Sequence, residues 1–191
     1  MQERGIAPAL SGGSHRETGG VRRLVLAASV AAVVVVVDQL TKSWAVRRLS
    51  HGDIHLVWKL DLELSYNSGA SFGLARGWGP VIAGVAISAV VILLSTVRRA
   101  RSTGLTVALG LVIGGALGNL ADRIVGHHHG AVVDFIALHF WPTFNVADSC
   151  VVIGAVTAAL IVVVRTPAPE NPANPHSAAA DSAAPDGGGS P

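Results

Sequence analysis

Residues Leu24 to Val46 read LVLAASVAAVVVVVDQLTKSWAV, an unbroken apolar run that leads into a polar segment containing Asp38 and Lys42. A helix that crosses the hydrocarbon core of a bilayer needs roughly 20 residues, and this stretch is long enough. An apolar run that follows Arg22 and Arg23 could also be a cleaved signal peptide. Because the run is long and continues into a polar helix, we interpret it as a first membrane span at about 24–46.

Three further apolar stretches follow, at about 77–97, 102–122 and 146–164. Half of the 191 residues are hydrophobic, 14% are charged and the mean hydropathy is +0.52. In soluble domains about a quarter of the residues are charged. The sequence therefore predicts a membrane all-α fold, a four-helix transmembrane bundle within residues 22–165. Residues 1–21 and 166–191 are rich in small and polar residues, which predicts disordered cytoplasmic tails.

The positions of lysine and arginine indicate the orientation of the bundle. If the N-terminus is inside, eight basic residues lie on the cytoplasmic side and six lie on the opposite side. The short second connection is the most basic, with Arg98, Arg99 and Arg101. Basic residues in short loops favour the cytoplasm. Both termini are thus predicted to be cytoplasmic, which leaves residues 47–76 and 123–145 outside. A net charge of +2 without a basic, aromatic surface argues against a nucleic-acid partner.

The two external segments carry patterns that are unusual for loops. Residues 56–66 alternate between apolar and polar side chains, which predicts a β element with one apolar face. A sheet this small is not stable alone, so we expect it to lie on the bilayer interface or to cap the bundle. The second segment is too apolar for a free loop and is predicted to be interfacial. Four aromatic residues near span ends fit a membrane belt: Trp58, Tyr66, Trp78 and Trp141.

Ionisable residues cluster at the external ends of the spans, although a charge at a helix centre costs about 2.5–3.5 kcal/mol. Asp38 and Lys42 are four residues apart, so they face the same way and can form an internal ion pair. Asn119 and Arg123 are also four apart, with Asp122 between them. These three residues either cap and anchor the helix end at the interface or contribute to a functional site.

Asp134 and Asp148 lie in apolar surroundings at the same predicted membrane face. Taken singly, Asp134 could be a solvated loop carboxylate, and Asp148 could be a first-turn residue favoured by the helix dipole. Taken together, two such carboxylates fit acid and base catalysis that shares one proton. Close like charges separate the two pKa values, so one group stays protonated while the other is ionised.

Other motifs favour structural roles. Gly110, Gly114 and Gly118 recur every four residues, the small-residue pattern that lets transmembrane helices pack closely. Cys150 is interpreted as a packing residue. The three histidines at 127–129 are adjacent, so they cannot all face one ion without an irregular backbone, and no HExxH pair accompanies them. We therefore predict an exposed histidine loop and no metal site.

Five motifs in one order resemble the signatures of the bacterial lipoprotein signal peptidases, the signal peptidase II family. They are Asp38-Gln-Leu-Thr41-Lys42, Asn67-Ser-Gly69-Ala70-Ser-Phe72-Gly73, Gly118-Asn119-Leu-Ala-Asp122-Arg123, Val133-Asp134-Phe135 and Phe144-Asn145-Val-Ala147-Asp148. The resemblance covers about residues 22–165. No single motif would suffice, but five motifs in order on a four-span chain are very improbable by chance.

The resemblance implies an intramembrane aspartic endopeptidase that cleaves the signal peptide from prolipoproteins just before a diacylglyceryl-modified cysteine. Asp134 and Asp148 would then be the catalytic dyad. Residues that would support the site and the substrate are Asp38, Lys42, Asn67, Gly69, Asn119, Asp122, Arg123 and Asn145. No metal or cofactor is implied, the partners are the prolipoprotein and membrane lipid, and we expect a monomer. The location would be the bacterial cytoplasmic (inner) membrane, with the site near its external face.

One departure from the family pattern and two alternatives stand beside this interpretation. The segment 126–131, with its three histidines, makes the connection from Arg123 to Asp134 longer than the family's compact one. A non-enzymatic carrier or assembly factor could also pair charges between helices, but it would favour midplane polar groups and an internal repeat, and neither is present. A metallopeptidase would need ligand clusters that the sequence lacks.

Overall fold

The computed structural model describes residues 14–68, 79–100, 102–126 and 130–165. In these ranges four helices and four strands follow the order α1, β1, β2, α2, α3, β3, β4, α4. The helices are α1 (Ser14–Leu49), α2 (Gly79–Arg99), α3 (Thr103–Val125) and α4 (Val146–Arg165). The strands are β1 (Ile54–Val57), β2 (Leu60–Asn67), β3 (Val132–Leu138) and β4 (Trp141–Phe144).

All four helices are long and apolar enough to cross a membrane. The qualifying segments are Thr18–Leu49, Val81–Arg99, Thr103–Val125 and Val146–Arg165. Large apolar side chains point outward from them, including Val33 and Ile92, which are more than half exposed. Such a surface is stable only against lipid, since water would have to cover a continuous apolar face. The prediction of a four-helix transmembrane bundle is confirmed.

Helix α3 lies at the centre of the bundle and contacts the other three helices. In its most apolar window 44% of the residues are buried, compared with 6% in α2. Glycines make this close packing possible, because a Cβ atom on Gly114 would lie only 2.7 Å from the Cβ atom of Val34 on α1. A Cβ atom on Gly115 would meet the carbonyl of Ala147 on α4. The predicted role of the glycine repeat in helix packing is confirmed.

The strands form one antiparallel sheet in the order β1-β2-β3-β4. Strand β2 pairs with β3, so that Leu60 lies opposite Leu138 and Ser65 lies opposite Asp134. Apolar side chains of the sheet, with Phe135 at their centre, pack on Ala45 and Leu49 in the last turns of α1. The sheet thus caps the bundle, which was one of the two predicted positions for it.

The start of the first helix differs from the sequence prediction. Helix α1 begins at Ser14, so the prediction of disorder is wrong for residues 14–21. A helix that is already nucleated by a long apolar run extends at little cost into neighbouring residues, even polar ones. The rest of the predicted tails lies outside the described residues.

The external segments also contain more strands than their patterns indicated. Residues 56–66 form two strands, because Trp58 adopts a left-handed backbone with φ of 53° and reverses the chain. The predicted interfacial segment forms β3 and β4. Strand β3 shows no alternation of apolar and polar residues in the sequence, because Val132, Val133, Asp134 and Phe135 are all buried. A strand that is covered on both faces has no polar face that would alternate with an apolar one.

Candidate active site

The loop between β4 and α4 brings Asp134 and Asp148 to the same place. Asn145 is the residue before α4, and its side-chain oxygen accepts a hydrogen bond from the backbone N–H of Asp148 at 2.9 Å. In return, Asp148 Oδ2 accepts a hydrogen bond from the Asn145 backbone N–H at 3.2 Å. This reciprocal cap fixes the Asp148 carboxylate at the first turn of α4.

Asp134 lies on β3 and is only 3% exposed. Two amide side chains donate to it: Asn145 Nδ2 to Oδ1 at 2.6 Å and Asn67 Nδ2 to Oδ2 at 3.2 Å. Asn67 is the last residue of β2, the strand that pairs with β3. The sheet register therefore places Asn67 beside the carboxylate. The alternative of a solvated loop carboxylate is wrong, because a strand buries this residue between the sheet and the bundle.

Asn119 joins the dyad to the centre of the bundle. Its Nδ2 donates to Asp148 Oδ1 at 2.7 Å, while its Oδ1 accepts from Lys42 Nζ at 2.9 Å. A second donor to the same oxygen is Asn145 Nδ2, at 3.1 Å. Since an ammonium group has donors and no acceptor, Lys42 holds the amide oxygen of Asn119 and leaves its NH₂ group for Asp148. The orientation of this amide is fixed from outside the dyad.

Lys42 is the centre of a buried ion network. Its Nζ lies 2.8 Å from Asp38 Oδ2 and 2.8 Å from Asp122 Oδ2. Asp38 is fully buried and Lys42 is 3% exposed. The predicted pairing of Asp38 with Lys42 is confirmed, and Asp122 and Asn119 point inward and pair with Lys42. The three oxygen partners of Lys42 compensate for the free energy that is lost when these charges are removed from water.

Carboxylate oxygens of the network also hold the backbone of the site. Asp38 Oδ1 accepts from the N–H of Ala147 in α4 at 3.0 Å, and Asp122 Oδ2 accepts from the N–H of Val133 in β3 at 3.2 Å. These two bonds tie the elements that carry the dyad to helices α1 and α3. Gly118 makes room for this arrangement, because a Cβ atom there would lie 2.7 Å from Asp38 Oδ2.

The sequence analysis missed Gln39. Its Nε2 donates to Asp122 Oδ1 at 2.9 Å and to the carbonyl oxygen of Gly118 at 3.2 Å, so it links α1 to α3. Gln39 precedes Lys42 by three residues, which places both on one face of the helix. This spacing is the signal that could have identified it.

The electrostatics of the site single out Asp134. Burial, and then the nearby negative charge of Asp148, raise the pKa of Asp134 to about 6. The amide donors Asn145 and Asn67 oppose this rise, but burial outweighs them. Arg123 lies within electrostatic range of both aspartates, and its Nη1 donates to the carbonyl oxygen of Asn119 at 3.2 Å. The site therefore combines a carboxyl group that readily holds a proton with a second carboxylate nearby.

Two parts of the prediction fall on residues that the structure does not describe. They are the motif residues from Gly69 through Gly73 and the histidines 127–129. Within residues 14–68, 79–100, 102–126 and 130–165, no three His, Cys, Asp or Glu side chains are arranged to hold a metal ion.

The chain is similar in sequence to a known protein family. The family described as signal peptidase (SPase) II matches residues 30–164. The lipoprotein signal peptidase of Rhodococcus jostii (strain RHA1) is 40% identical over 150 residues, which is 75% of this chain and 74% of that protein. The lipoprotein signal peptidase of Mycobacterium leprae (strain Br4923) is 40% identical over 148 residues, 75% of this chain and 72% of that protein.

The fold is also similar to a solved bacterial membrane enzyme structure, determined by the in meso method at 1.9 Å resolution. The TM-score is 0.65 and the sequence identity is 27%, over 73% of this chain and 94% of the other. A second structure of a bacterial membrane enzyme, at 2.3 Å resolution, matches with a TM-score of 0.64 and 26% identity. This second match covers 76% of this chain and 93% of the chain in the solved structure. The arrangement of helices and sheet is thus shared with solved membrane enzymes.

Proposed function

The chain belongs to the signal peptidase II family, and on that premise we propose that it is an intramembrane aspartic endopeptidase. Its substrates are prolipoproteins, and the bond it cleaves lies just before the diacylglyceryl-modified cysteine. The peptidase comprises residues 22–165. Family membership favours a peptidase over the alternative of a non-enzymatic carrier or assembly factor. The observation that carries the aspartic mechanism is the pair formed by buried Asp134 and half-buried Asp148, bridged by Asn145.

The four apolar helices and the family make this a multi-pass protein of a bacterial inner membrane. We further propose that both termini are cytoplasmic and that the dyad lies near the external face. The densely basic connection after Arg98 and Arg99 supports this orientation, since short basic loops stay in the cytoplasm. The dyad lies at the opposite ends of the helices from that connection, beside the sheet.

The two carboxyl groups have different roles in hydrolysis, one as the acid and one as the base. In this proposal Asp134, whose pKa is raised to about 6, carries the shared proton, and Asp148 acts as the base. Asn119 Nδ2 supports the ionised form of Asp148 by donating to it at 2.7 Å. Lys42 keeps that amide in the donating orientation. The hydrogen-bond partners of each carboxyl group support this assignment of the acid and the base.

The reaction proceeds through a tetrahedral intermediate. Ionised Asp148 takes a proton from a water molecule as the water oxygen attacks the carbonyl carbon of the scissile bond, while Asp134 gives its proton to the carbonyl oxygen. The resulting gem-diol then collapses. The carbon–nitrogen bond breaks, the leaving amine of the cysteine takes the proton from Asp148, and one hydroxyl proton returns to Asp134. The products are a signal peptide with a free carboxyl group and a lipoprotein with a free amine.

Cleavage of a purified prolipoprotein tests this function directly. The parent chain, in detergent, is expected to release the signal peptide just before the lipidated cysteine, in the presence of a chelator as well as in its absence. The Asp148→Asn variant is expected to fold normally and to lose turnover. Cleavage that a chelator abolishes would indicate a metallopeptidase. A folded parent chain that leaves several prolipoproteins intact would overturn the peptidase assignment for this chain.

A further inference from the structure

An open groove lies between α1 and α2, at the end of the bundle opposite the sheet. Its volume is about 370 Å³, and it is lined by Leu24 of α1 and by Leu94, Ser95, Arg98 and Arg99 of α2. The two arginines belong to the last turn of α2. Roughly 30 Å of helix α1 separates Leu24 from Ala45, on which the sheet packs. This α1–α2 groove is therefore remote from the candidate active site.

One wall of the groove changes from apolar to cationic along a single face of α2. Leu94 and Arg98 are four residues apart, as are Ser95 and Arg99, so the wall extends for about one turn, or roughly 5.4 Å. Leu94 is 40% exposed, and both arginines are exposed. Because α2 is one of the four spans, the apolar part of the groove opens to lipid. The cationic part lies where the span ends, at the level of the lipid headgroups.

The charge at this end of the bundle is uncompensated in the part of the chain that the structure describes. Five arginines lie at this end of the helices: Arg22, Arg23, Arg98, Arg99 and Arg165. Every Asp and Glu side chain that the structure describes lies toward the other end, where the sheet is. Among these residues Arg98 and Arg99 accordingly form no ion pair. The negative end of the α2 dipole amounts to about half a charge, which does not neutralise two guanidinium groups.

These features fit an anionic phospholipid. Guanidinium groups bind phosphate oxygens through paired hydrogen bonds, and basic pockets between membrane spans bind anionic headgroups. Ser95 Oγ donates to the carbonyl oxygen of Ile92 at 2.7 Å, so toward a ligand it can only accept a hydrogen bond. A hydroxyl group of a headgroup can donate to it. An acyl chain covers the apolar part of the groove, which a free phosphate ion would leave open.

We propose that the α1–α2 groove binds one anionic phospholipid whose headgroup carries hydroxyl groups, as in phosphatidylglycerol. The phosphate lies beside Arg98 and Arg99, and one acyl chain lies along Leu24 and Leu94. In the orientation proposed above, this lipid belongs to the cytoplasmic leaflet. Helix α2 is only 6% buried in its most apolar window, so a lipid that contacts both helices adds to its attachment to α1. The lipid thus stabilises the bundle at the end away from the dyad.

Lipid binding to the purified full chain tests the groove. Native mass spectrometry in a neutral detergent compares phosphatidylglycerol with phosphatidylcholine at equal concentrations. The parent is expected to retain one phosphatidylglycerol with an affinity at least about tenfold higher, since each basic residue near an anionic lipid contributes about fivefold. The double variant Arg98→Gln with Arg99→Gln is expected to lose this preference. Arg47→Gln with Arg48→Gln removes an equivalent pair from the last turn of α1 and should change the preference by less than about twofold.

A second pair of variants keeps every charge and therefore the charge pattern that orients the chain. Leu94→Trp fills the apolar part of the groove. Ile87→Trp places the same group two turns earlier on α2, at a residue that is 47% exposed compared with 40% for Leu94. Leu94→Trp is expected to lower the affinity for phosphatidylglycerol at least about fivefold, because the acyl chain loses its apolar contact. Ile87→Trp is expected to keep the parent affinity.

Three results would overturn the proposal. The first is a parent chain that does not prefer phosphatidylglycerol, and the second is an equal loss in both arginine pairs, which would indicate a general attraction to anionic lipid. The third is thermal stabilisation by inorganic phosphate as large as that by phosphatidylglycerol, which would assign the arginines to a free anion. Peptide cleavage enters none of these readouts. Failure of the groove therefore leaves the proposed function intact, and failure of the proposed function leaves the groove intact.

Discussion

Asp134 and Asp61 lie on neighbouring strands of one sheet, yet they have opposite electrostatic environments. Asp134 on β3 is buried against the bundle and receives hydrogen bonds from amide groups, and its pKa is raised to about 6. Asp61 on β2 lies on the outer face between two exposed histidines. Hydrogen bonds with His139, at 2.7 Å, and with His55 lower the pKa of Asp61. The same side chain in the same sheet therefore favours opposite protonation states.

The difference shows that the partners on the covered face, and not the strand itself, create the candidate active site. Each strand alternates its side chains between the two faces of the sheet. On the face toward the helices, Asn145 and Asn67 direct amide donors at Asp134, and Lys42 lies within electrostatic range of it. On the outer face, exposed imidazoles supply the donors and water screens their charge. The comparison yields predictions of decreasing size.

The largest expected difference is in catalysis. Asp134→Asn is expected to reduce prolipoprotein cleavage by more than about a thousandfold, because it removes the proton donor of the dyad. Asp61→Asn makes the same chemical change on the outer face and is expected to leave the cleavage rate within about twofold. Initial rates in detergent measure both. Comparable losses in the two variants would show that the outer cluster also participates in the reaction.

Loss of the buried cation is expected to have the next largest effect, on stability. Lys42→Met leaves the buried Asp38 and Asp122 without their counter-ion, so the free energy of unfolding should fall by about 3–5 kcal/mol. Lys59→Met is the control, because Lys59 lies in the exposed β1–β2 turn over the ring of Trp58. It should change the free energy of unfolding by less than about 0.5 kcal/mol. Denaturant unfolding in micelles gives both values. A mild effect of Lys42→Met would mean that the network is not tightly coupled.

The pH dependence of stability should have opposite signs for the two aspartates. Because the pKa of Asp134 is raised from 3.8 to about 6, its stabilising contribution is complete below about pH 4 and is lost as the pH rises through 6. The loss amounts to about 3 kcal/mol. Asp134→Asn should therefore gain stability over the parent between about pH 4 and 6.5 and keep that gain above it.

Asp61 should behave in the reverse way. Its pKa is lowered, so its contribution is present above the ordinary carboxyl pKa and is lost as the pH falls. Asp61→Asn should thus be slightly less stable than the parent at neutral pH and equal to it in acid. Thermal unfolding across this pH range measures both trends. Parallel curves for the two variants would contradict the opposite environments of the two carboxylates.

A smaller effect than the loss of the buried cation is expected from packing next to the buried network. Gly118→Ala places a methyl group 2.7 Å from Asp38 Oδ2, so the carboxylate or the helix backbone must shift. We expect a loss of about 2 kcal/mol in the free energy of unfolding. Gly84→Ala on α2 is the control, because a Cβ atom there meets nothing within 4 Å. It should be neutral or slightly stabilising. Equal effects of the two substitutions would show that α1 and α3 separate easily at this level.

Much of the site could be predicted because its residues recur at helical spacing. Asp38 with Lys42, and Asn119 with Asp122, are three or four residues apart, so each set shares one helix face. The role of Gln39 follows the same rule and was overlooked. Strand β3 was not predicted from the sequence, and the reason is physical. It lies between β2 and β4 in the sheet, and Val132 to Phe135 are buried on both of its faces, so its residues show no period of two.

The sequence by itself determined the four spans, because about 20 consecutive apolar residues are stable as a helix only within lipid. It also determined the two aspartates and the motifs that contain them. Only the tertiary structure decided what those aspartates do. Asp134 receives a hydrogen bond from Asn67 on β2, and Asp148 receives one from Asn119 on α3, and both partners are distant in sequence. The pKa of a carboxyl group depends on its burial and on its hydrogen-bond donors. Both depend on how distant elements pack together, and the local sequence does not determine them.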